Sequence, residues 1–304
     1  MDVKRVLELR AAGASWDAVA AAVNADCSGD VLRKRVGRAV SAPDVAPAAA
    51  PWGQKVYDFG RPVSVLVIPD TQVGADTPLD HFRAAGRYAA AREVDVVVHI
   101  GDFVDYKSLS TYNNALQREG LRFADDMEAA VEALDLFDEG LDGYTPKLQL
   151  VTLGNHEDRL ERYVGEHPEL VGALELPPFE EYGWTVAPFL QPVEVQGVLF
   201  AHYFTRTAKG WAGKNPHPDA ATMVRREMRS CVAGHSPGLN VYVHPAHDKL
   251  LRGLIAGSFY QHNEAWMGPQ GNQYWRGLVM MHETQNGFWN QMEVSLDWLM
   301  KKHG

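Results

Sequence analysis

The central part of the chain alternates between short, continuously apolar segments and longer amphipathic ones. Three apolar runs are rich in β-branched residues: VSVLVIP at 63–69, VDVVVHI at 94–100 and KLQLVTL at 147–153. Runs of this length and composition are typical of strands buried on both faces. The stretches between them, LDHFRAAGRYAAARE at 79–93 and FADDMEAAVEALDLFDEGL at 123–141, are long enough for crossover helices. The pattern predicts an α/β core around a mainly parallel sheet.

From about residue 183 the amphipathic stretches become scarce, and short apolar segments follow one another. This change predicts a second sheet with few helices between its strands. The predicted strands are WTVAP, PVEVQGVLFAH, CVAGH, KLLRGLIAGS, GLVMMHE and NQMEVSL.

The first 41 residues have helical periodicity and a basic third segment. VKRVLELRA at 3–11 predicts a helix that Gly13 ends, and Ser15 is placed to cap a second helix. A third helix is predicted over DVLRKRVGRAV at 30–40. Three short helices with a basic third one resemble a helix-turn-helix unit, whose recognition helix would span 31–40. The alternative is an interaction module or a small helical cap. The predicted DNA contacts are Arg33, Lys34, Arg35 and Arg38.

Residues 42–60 are predicted to link two domains. The stretch SAPDVAPAAAPWGQ at 41–54 is rich in Pro and Ala and has no periodicity. We therefore expect a small all-α, helix-turn-helix-like domain over 1–41 and a larger domain over 61–304.

Composition narrows the class of protein. The chain has 304 residues and is 46% hydrophobic, which is enough for a substantial core. Two cysteines are too few for a disulfide framework, and neither a signal peptide nor a run of roughly 20 apolar residues is present. We therefore expect a cytoplasmic protein with no membrane partner; the oligomeric state is open. The net charge of −10 argues against general coating of nucleic acid, although residues 1–41 hold seven Lys/Arg against five Asp/Glu.

Polar side chains follow the apolar strands at their carboxyl ends. The first predicted strand ends in Asp70 and Gln72, the second in GDFVD at 101–105, and the third in GNHED at 154–158. Two later strands end in His202 and His235. Ligands of open α/β sheets bind outside the carboxyl ends of the strands, so these side chains are expected to converge. One capping Asp, turn Asn or buried His would be ordinary, but five such strand ends predict a shared metal site.

The order D-x-Q, GD-x-x-D, GNHE, H and GH resembles the calcineurin-like metallophosphoesterase superfamily, whose pattern is D-x-H, GD-x-x-D, GNH[DE], H and GH-x-H. The resemblance covers residues 63 to roughly 240. It implies a four-layer α/β/β/α sandwich with a two-metal centre. GNHE followed by Arg159, together with WRGLVMMHE at 275–283, also resembles a phage-associated branch whose first motif is D-x-Q.

The resemblance implies metal ligands position by position. Asp102 would bridge two metals, and Asn155, His202 and His235 would complete the second metal position. Every family ligand of this second position is present in the chain.

The first metal position departs from the family pattern. Asp70 would serve it together with Gln72, where the family usually has His, and the family's last His falls on Pro237. Carboxylate and amide oxygens favour the harder Mn or Mg and hold them weakly, whereas imidazole suits Zn, Fe, Ni and Mn. We therefore expect two divalent metal positions, a tight second one and a labile first one, with Mn as the preferred ion.

Other acids and histidines near the motifs are weaker candidates. His99 is expected to point into packing, and Glu157 and Asp158 are expected to start the following helix, whose dipole favours acids. Three downstream histidines are candidate replacement ligands for the first metal, although each is expected on a loop or the surface: His244, His247 and His262.

The resemblance also implies a catalytic pair. His156 matches the family residue that contacts the phosphate and acts as a general acid. Asp105 matches the carboxylate that orients this His and raises its basicity. Metal ions would activate a water for in-line attack.

The fold does not decide the substrate, because this superfamily cleaves phosphomonoesters, cyclic nucleotides, phosphoproteins and nucleic acids. DNA is favoured by the basic N-terminal helix and by residues 204–230, which hold six Lys/Arg against Asp219 and Glu227. Cations there could hold a phosphate backbone and an aromatic ring could stack on a base. The alternative for this segment is an amphipathic surface helix with a mobile loop. The expected substrate contacts are Arg159, Arg206, Lys209 and Trp211.

Three functions are open from the sequence. The leading one is a metal-dependent phosphodiesterase acting on DNA, as a nuclease or end-processing enzyme. The second is a small-molecule phosphodiesterase or a protein phosphatase. The third is a catalytically weak nucleic-acid-binding protein on the same scaffold, which the lack of imidazole at the first metal position favours.

Overall fold

The computed structural model describes residues 3–23, 28–29, 32–33, 36, 48–49, 54–110, 114–208, 211–264 and 267–304. The strands are β1 (Ala48–Ala49), β2 (Lys55–Tyr57), β3 (Val63–Ile68), β4 (Val96–His99), β5 (Leu148–Thr152), β6 (Trp184–Ala187), β7 (Val193–Val195), β8 (Val198–Phe200), β9 (Thr205–Ala208), β10 (Trp211–Pro216), β11 (Cys231–Ala233), β12 (Leu239–Pro245), β13 (Leu250–Ala256), β14 (Gly277–Gln285) and β15 (Phe288–Ser295). The α-helices are α1 (Val3–Ala11), α2 (Trp16–Ala22), α3 (Asp80–Ala91), α4 (Ala115–Arg118), α5 (Phe123–Leu141), α6 (Glu157–Glu166), α7 (Ala220–Glu227), α8 (Gly268–Gly271) and α9 (Leu296–His303). Short 3-10 helices lie at Lys107–Leu109, Pro168–Leu170 and Phe179–Tyr182. None of the helices within these ranges is long and apolar enough to cross a membrane.

A six-stranded sheet carries the predicted parallel core. Its order is β15-β14-β3-β4-β5-β6, and the four strands from β3 to β6 run parallel. The helices α3 and α5 are the crossovers between β3 and β4 and between β4 and β5. The prediction of a βαβαβ core is therefore confirmed. At the other edge, β14 and β15 add an antiparallel hairpin.

A seven-stranded sheet packs against the first, but its membership differs from the prediction. Its order is β1-β2-β7-β8-β11-β13-β12. The segments WTVAP, GLVMMHE and NQMEVSL were expected in this sheet, yet they form β6, β14 and β15 of the six-stranded one. The prediction is wrong for these three segments, because an apolar run predicts a strand without naming the strand it pairs with.

The strands of the parallel sheet serve two cores at once. Val65 and Val67 of β3 belong to the core between the sheets, together with residues of β8, β11 and β13. Leu66 and Ile68 belong to the core beneath α3, α5 and α9. Successive side chains of a strand point to opposite faces, so a continuously apolar run is needed when both faces are covered.

The outer face of the seven-stranded sheet is covered by α7. Met223 of this helix packs in one cluster with Leu199, Cys231 and Ala233 of the sheet region. Arg226 on the same helix is exposed. Residues 220–227 thus form the amphipathic surface helix that was the alternative for this part of the basic stretch. The layers are therefore, in order, the helices α3, α5 and α9, the six-stranded sheet, the seven-stranded sheet, and α7.

The N-terminal residues form helices as far as they are described. The two predicted helices α1 and α2 are present, and Ser15 Oγ accepts a hydrogen bond from Ala18 N at 3.2 Å, as a cap does. Val6, Val19 and Leu32 share a small core. Arg33 is exposed, whereas most of the predicted third helix lies outside the described residues, including Lys34, Arg35 and Arg38. The helix-turn-helix-like domain stays a prediction.

Part of the predicted linker lies in a sheet. The strand β2, within the expected linker 42–60, pairs in parallel with β7, and Tyr57 is buried in the core between the sheets. β1 pairs with β2 in turn. The residues around 55–57 are therefore part of the larger unit, while the domain boundaries themselves stay a prediction.

The helices α3 and α5 approach each other through two glycines. A Cβ added to Gly86 would lie 2.2 Å from Phe137 O, and one added to Gly140 would lie 2.2 Å from Arg83 O. The two backbones touch at these points, so no larger residue fits without moving a helix. This contact fixes both crossovers against the sheet.

A Cβ at Gly86 would lie 2.2 Å from Phe137 O, so we expect Gly86→Ala to overpack the α5 backbone at a cost of about 2–3 kcal/mol. Ala gains roughly 1 kcal/mol over Gly inside a helix, so the free energy of unfolding should fall by about 1–2 kcal/mol. Urea denaturation followed by circular dichroism measures the difference. The control is Gly165→Ala in α6, where a Cβ meets nothing within 4 Å and the change should be neutral or stabilising. Wild-type stability of Gly86→Ala would contradict the tight contact.

Candidate metal centre

The polar residues that follow five strands lie together at one end of the two sheets. Asp70 follows β3, Asp102 follows β4 and Asn155 follows β5, all on the parallel sheet. His202 and His235 follow β8 and β11, which run parallel in the other sheet. Asp102, His202 and His235 offer ligand atoms that all lie within 4.8 Å of one another.

Asn155 lies at the centre of this arrangement. Its Oδ1 is 3.0 Å from His202 Nε2 and 2.8 Å from His235 Nδ1, and His202 Nε2 is 3.3 Å from Asp102 Oδ2. Atoms that share a divalent ion at ~2.0–2.2 Å are roughly 3–4 Å apart, so these four side chains fit such an ion. We call Asp102, Asn155, His202 and His235 the Asn155 cluster.

A hydrogen bond at Nδ1 orients the imidazole ring of His202. Its Nδ1 lies 3.0 Å from Ile100 O, the residue before Gly101. A proton on Nδ1 that is donated to this carbonyl leaves the lone pair of Nε2 directed into the Asn155 cluster. Gly101 has φ +100, and a Cβ there would lie 2.8 Å from His202 Nδ1, so glycine is required beside the ring.

Asp70 and the two departures from the family pattern, Gln72 and Pro237, line the cavity that Asp102 also lines. Asp70 Oδ1 accepts a hydrogen bond from His235 N at 3.1 Å. Gln72 has φ +45 and donates its backbone N–H to Asp102 O at 2.9 Å. The two points at which the resemblance leads us to expect imidazoles are therefore occupied by an amide side chain and a proline on the cavity wall.

Burial and charge shift the protonation of these groups. Burial lowers the pKa of His202, but Asp102, Asp70 and Glu157 together outweigh it and raise the pKa to about 9. Burial raises the pKa of Asp70 to about 7, against the opposing effect of His202. Burial lowers the pKa of His235 to about 4, so its ring is neutral at pH 7. Because metal ligands bind in deprotonated form, an ion would displace the proton of His202.

His156 lies beside the Asn155 cluster with Asp105 behind it. His156 Nδ1 is 3.2 Å from Asp105 Oδ1, and its Nε2 is 3.5 Å from Asp102 Oδ2. Burial lowers the pKa of His156, but Asp102 and Asp105 outweigh burial and the net pKa is raised. Burial raises the pKa of Asp105, but His156, Lys107 and Arg159 together outweigh burial and lower the pKa to about 2. The pair favours a protonated imidazole.

A cavity of about 610 Å³ opens over these residues. Two cations line it: Arg159 Nη1 donates to Asp105 O at 2.7 Å, and Lys107 Nζ lies 3.4 Å from Asp105 Oδ2. Arg159 was predicted as a substrate contact, and the structure places it on the cavity wall. Lys107 was missed, because it follows the GD-x-x-D motif on a 3-10 helix that carries no pattern of its own.

Residues beyond the last motif complete the cavity wall. Ser258, Tyr260, Glu264 and Met267 line it. The ring of Tyr260 stacks on His262 with centroids 4.5 Å apart, and His262 Nε2 lies 3.0 Å from Glu264 Oε1. His262, a candidate replacement ligand, is therefore engaged with the wall and with Glu264.

The remaining histidines have other places. His244 lies on β12, where its Nδ1 is 3.3 Å from Tyr242 Oη, and His247 is exposed. His99 is buried, with Nε2 3.1 Å from Thr71 Oγ1, so it lies in packing as expected. Its hydrogen bond joins the last residue of β4 to the loop that follows β3.

Three expected substrate contacts after His202 stay predictions. Arg206 lies on β9 and Trp211 on β10, and these strands pair with each other. The side chains of both, and all of Lys209, lie outside the described residues.

The sequence predicted only the helix-start position of Glu157 and not its contacts with two loops. It starts α6, as predicted, but its carboxylate is buried and accepts hydrogen bonds from the backbone N–H groups of Asp102, Phe103, Val104 and Gly154. In a sequence, an acid at a helix start and an acid with this role look the same.

Comparison with known proteins agrees with these motifs. A family model described as calcineurin-like phosphoesterase matches residues 63–237, which is more than half of the chain and contains every motif from Asp70 to His235. A search of curated proteins finds no match. A solved structure from Streptococcus pneumoniae TIGR4, described as a conserved uncharacterised protein and predicted phosphoesterase, is 12% identical and covers 76% of this chain and 98% of that chain. The TM-score is 0.29. The family match shows that the chain belongs to the calcineurin-like phosphoesterase family.

Proposed function

We propose that this protein is a metal-dependent phosphodiesterase that acts on DNA, as a nuclease or end-processing enzyme. The convergence of the Asn155 cluster beside His156, in a chain of a phosphoesterase family, supports hydrolysis of a phosphoester. The choice of DNA rests on the sequence, which has a basic third segment in the N-terminal region and a D-x-Q motif similar to that of a phage-associated branch.

We further propose two metal positions of unequal strength. The Asn155 cluster, with two imidazoles, would hold the tighter ion, and Asp70, Gln72 and Asp102 would hold the weaker one through oxygen atoms alone. Mn is proposed because it accepts both imidazole and oxygen ligands. A divalent ion in this centre supplies Lewis-acid chemistry, in that it polarises a phosphoryl oxygen and lowers the pKa of a water molecule.

The side chains around the cavity have distinct tasks in this proposal. His156, kept protonated by Asp105, gives its proton to the leaving oxygen as a general acid. Arg159 and Lys107 bring positive charge to the cavity, where the phosphate of the substrate would lie. Asp105 contacts all three groups and keeps them in place.

Replacing His156 with Gln should lower turnover by roughly 10²–10⁴-fold, because the proton donor is lost. The metal content should change little, because the Asn155 cluster is intact. The loss should be larger for DNA than for a p-nitrophenyl diester. The leaving group of DNA is an alkoxide, which needs the proton that His156 supplies. Steady-state kinetics with Mn and metal analysis of the purified protein measure the two quantities.

The matched control for this test is His167→Gln, at a half-buried position after α6. It should leave turnover and metal content unchanged. Equal turnover of His156→Gln and wild type would contradict the general-acid role, and loss of bound metal would instead identify His156 as a ligand.

Imidazole at the first metal position should tighten it. In the double variant Gln72→His with Pro237→His, both changes lie on the cavity wall, at the two points where the family has His. Calorimetric titration with Mn should show one tight ion in the wild type and two in the double variant. Gln72→Asn with Pro237→Ala controls for loss of the original residues. Two equally tight ions in the wild type would contradict unequal positions.

The DNA proposal is tested by removing charge from the third N-terminal segment. The test variant replaces Arg33, Lys34, Arg35 and Arg38 with Ala. The control removes four exposed cations elsewhere, by changing Arg226, Lys249, Lys301 and Lys302 to Ala. Fluorescence anisotropy with a DNA duplex should show affinity roughly 10-fold or more weaker, and a shallower salt dependence, for the test variant alone. Hydrolysis of a chromogenic diester should be equal in both.

Equal DNA affinity of the two variants would contradict a DNA-binding role for this segment. It would shift the choice to a small-molecule phosphodiesterase or protein phosphatase.

A catalytically weak nucleic-acid-binding protein is the second candidate. Gln72 and Pro237 favour it, because they leave the first metal position without imidazole. Mn-dependent hydrolysis that disappears in Asn155→Ala or His202→Ala would rule it out.

A further inference from the structure

Glu157 is a buried carboxylate whose described hydrogen bonds all come from main-chain N–H groups. It is 2% exposed. Its Oε1 accepts from Phe103 N at 2.9 Å and Val104 N at 3.1 Å. Its Oε2 accepts from Gly154 N at 2.7 Å and Asp102 N at 3.1 Å. Hydrogen bonds to an ionised carboxylate are short and strong, so this group holds its four donors firmly.

The four donors belong to two different loops. Asp102, Phe103 and Val104 lie in the loop after β4, and Gly154 lies in the loop after β5. The first loop turns through Gly101 and Asp102, which have φ of +100 and +48. The left-handed conformation of Asp102 is less favourable than the right-handed one, so contacts with its surroundings stabilise it. The hydrogen bonds from Asp102, Phe103 and Val104 to Glu157 are such contacts.

The same two loops carry Asp102 and Asn155 of the Asn155 cluster. They also touch directly, since Asp102 Oδ1 accepts from His156 N at 2.9 Å. A Cβ on Gly154 would lie 2.1 Å from Asp102 Oδ1, so the loops are as close as glycine allows. Any loosening between them changes the separation of two ligands that come from different strands.

We infer that Glu157 is a positioning residue, which sets the place of Asp102 relative to Asn155 and thereby the metal affinity of the Asn155 cluster. The inference rests on the proposed metal centre. It differs from the ordinary role of an acid at a helix start, which stabilises the helix through its dipole. That ordinary role would lower stability and leave the metal affinity of the folded protein unchanged.

The test compares Glu157→Gln with Asp158→Asn in the full chain. The Gln side chain has the same shape, but only its oxygen accepts, and its NH₂ group would face main-chain N–H donors. Asp158→Asn removes the same charge one residue later on α6, where the carboxylate pairs with Arg162 at 3.0 Å. Mn titration by calorimetry, below the unfolding temperature of each variant, gives the dissociation constant.

We expect Mn binding to weaken by roughly 10–100-fold in Glu157→Gln and to stay at the wild-type value in Asp158→Asn. Glu157→Asp, which keeps both oxygens on a shorter side chain, should recover part of the affinity. Wild-type affinity in folded Glu157→Gln would overturn the inference and leave the helix-start role. Equal weakening in both charge-removing variants would also overturn it, since net charge alone would then explain the loss.

The proposed function can fail separately. If the wild type binds no Mn, the proposed metal centre fails and the inference falls with it. If the wild type binds Mn and Glu157→Gln binds equally well, only the inference fails. Should Glu157→Gln not fold, Glu157→Asp carries the test, and wild-type affinity in that variant overturns the inference.

Discussion

The candidate centre depends on one constraint, namely that charged groups removed from water must be compensated. Asp70 and Asp102 are each 2% exposed, and an isolated buried carboxylate would be very costly. Asp102 is compensated by His156 and His202, and Asp70 by the backbone N–H of His235. These contacts place the acids, the imidazoles and the amide of Asn155 at the spacing a divalent ion requires. The chemistry of the site follows from how its charges are buried.

The two sheets contribute different side chains to this candidate centre. The parallel sheet brings carboxylates and the amide on the loops after β3, β4 and β5, whereas the seven-stranded sheet brings two imidazoles after β8 and β11. The apolar core between the sheets therefore sets the distance between Asp102 and His202. Mutations in that core, far from any ligand, are expected to act on metal binding through this distance.

The sequence predicts the parts of the structure that depend on local pattern. Runs of apolar residues and their period predict strands β3, β4 and β5 and helices α3 and α5. The parallel topology predicts that the polar residues at the strand ends converge. The pattern does not predict which sheet β6, β14 and β15 join, because pairing partners are chosen by tertiary contacts. The roles of Lys107 and Glu157 are not predicted for the same reason, because they depend on tertiary contacts that the local sequence pattern does not show.

We propose that the Asn155 cluster holds a divalent ion and that Asp70 and Gln72 border a weaker position. Anomalous diffraction from crystals grown with Mn would locate both ions. We expect a strong anomalous peak in contact with Asn155, His202 and His235, and a weaker or absent peak beside Asp70 and Gln72. A peak only at another place in the protein, or none at the Asn155 cluster, would show that the cluster does not bind the metal.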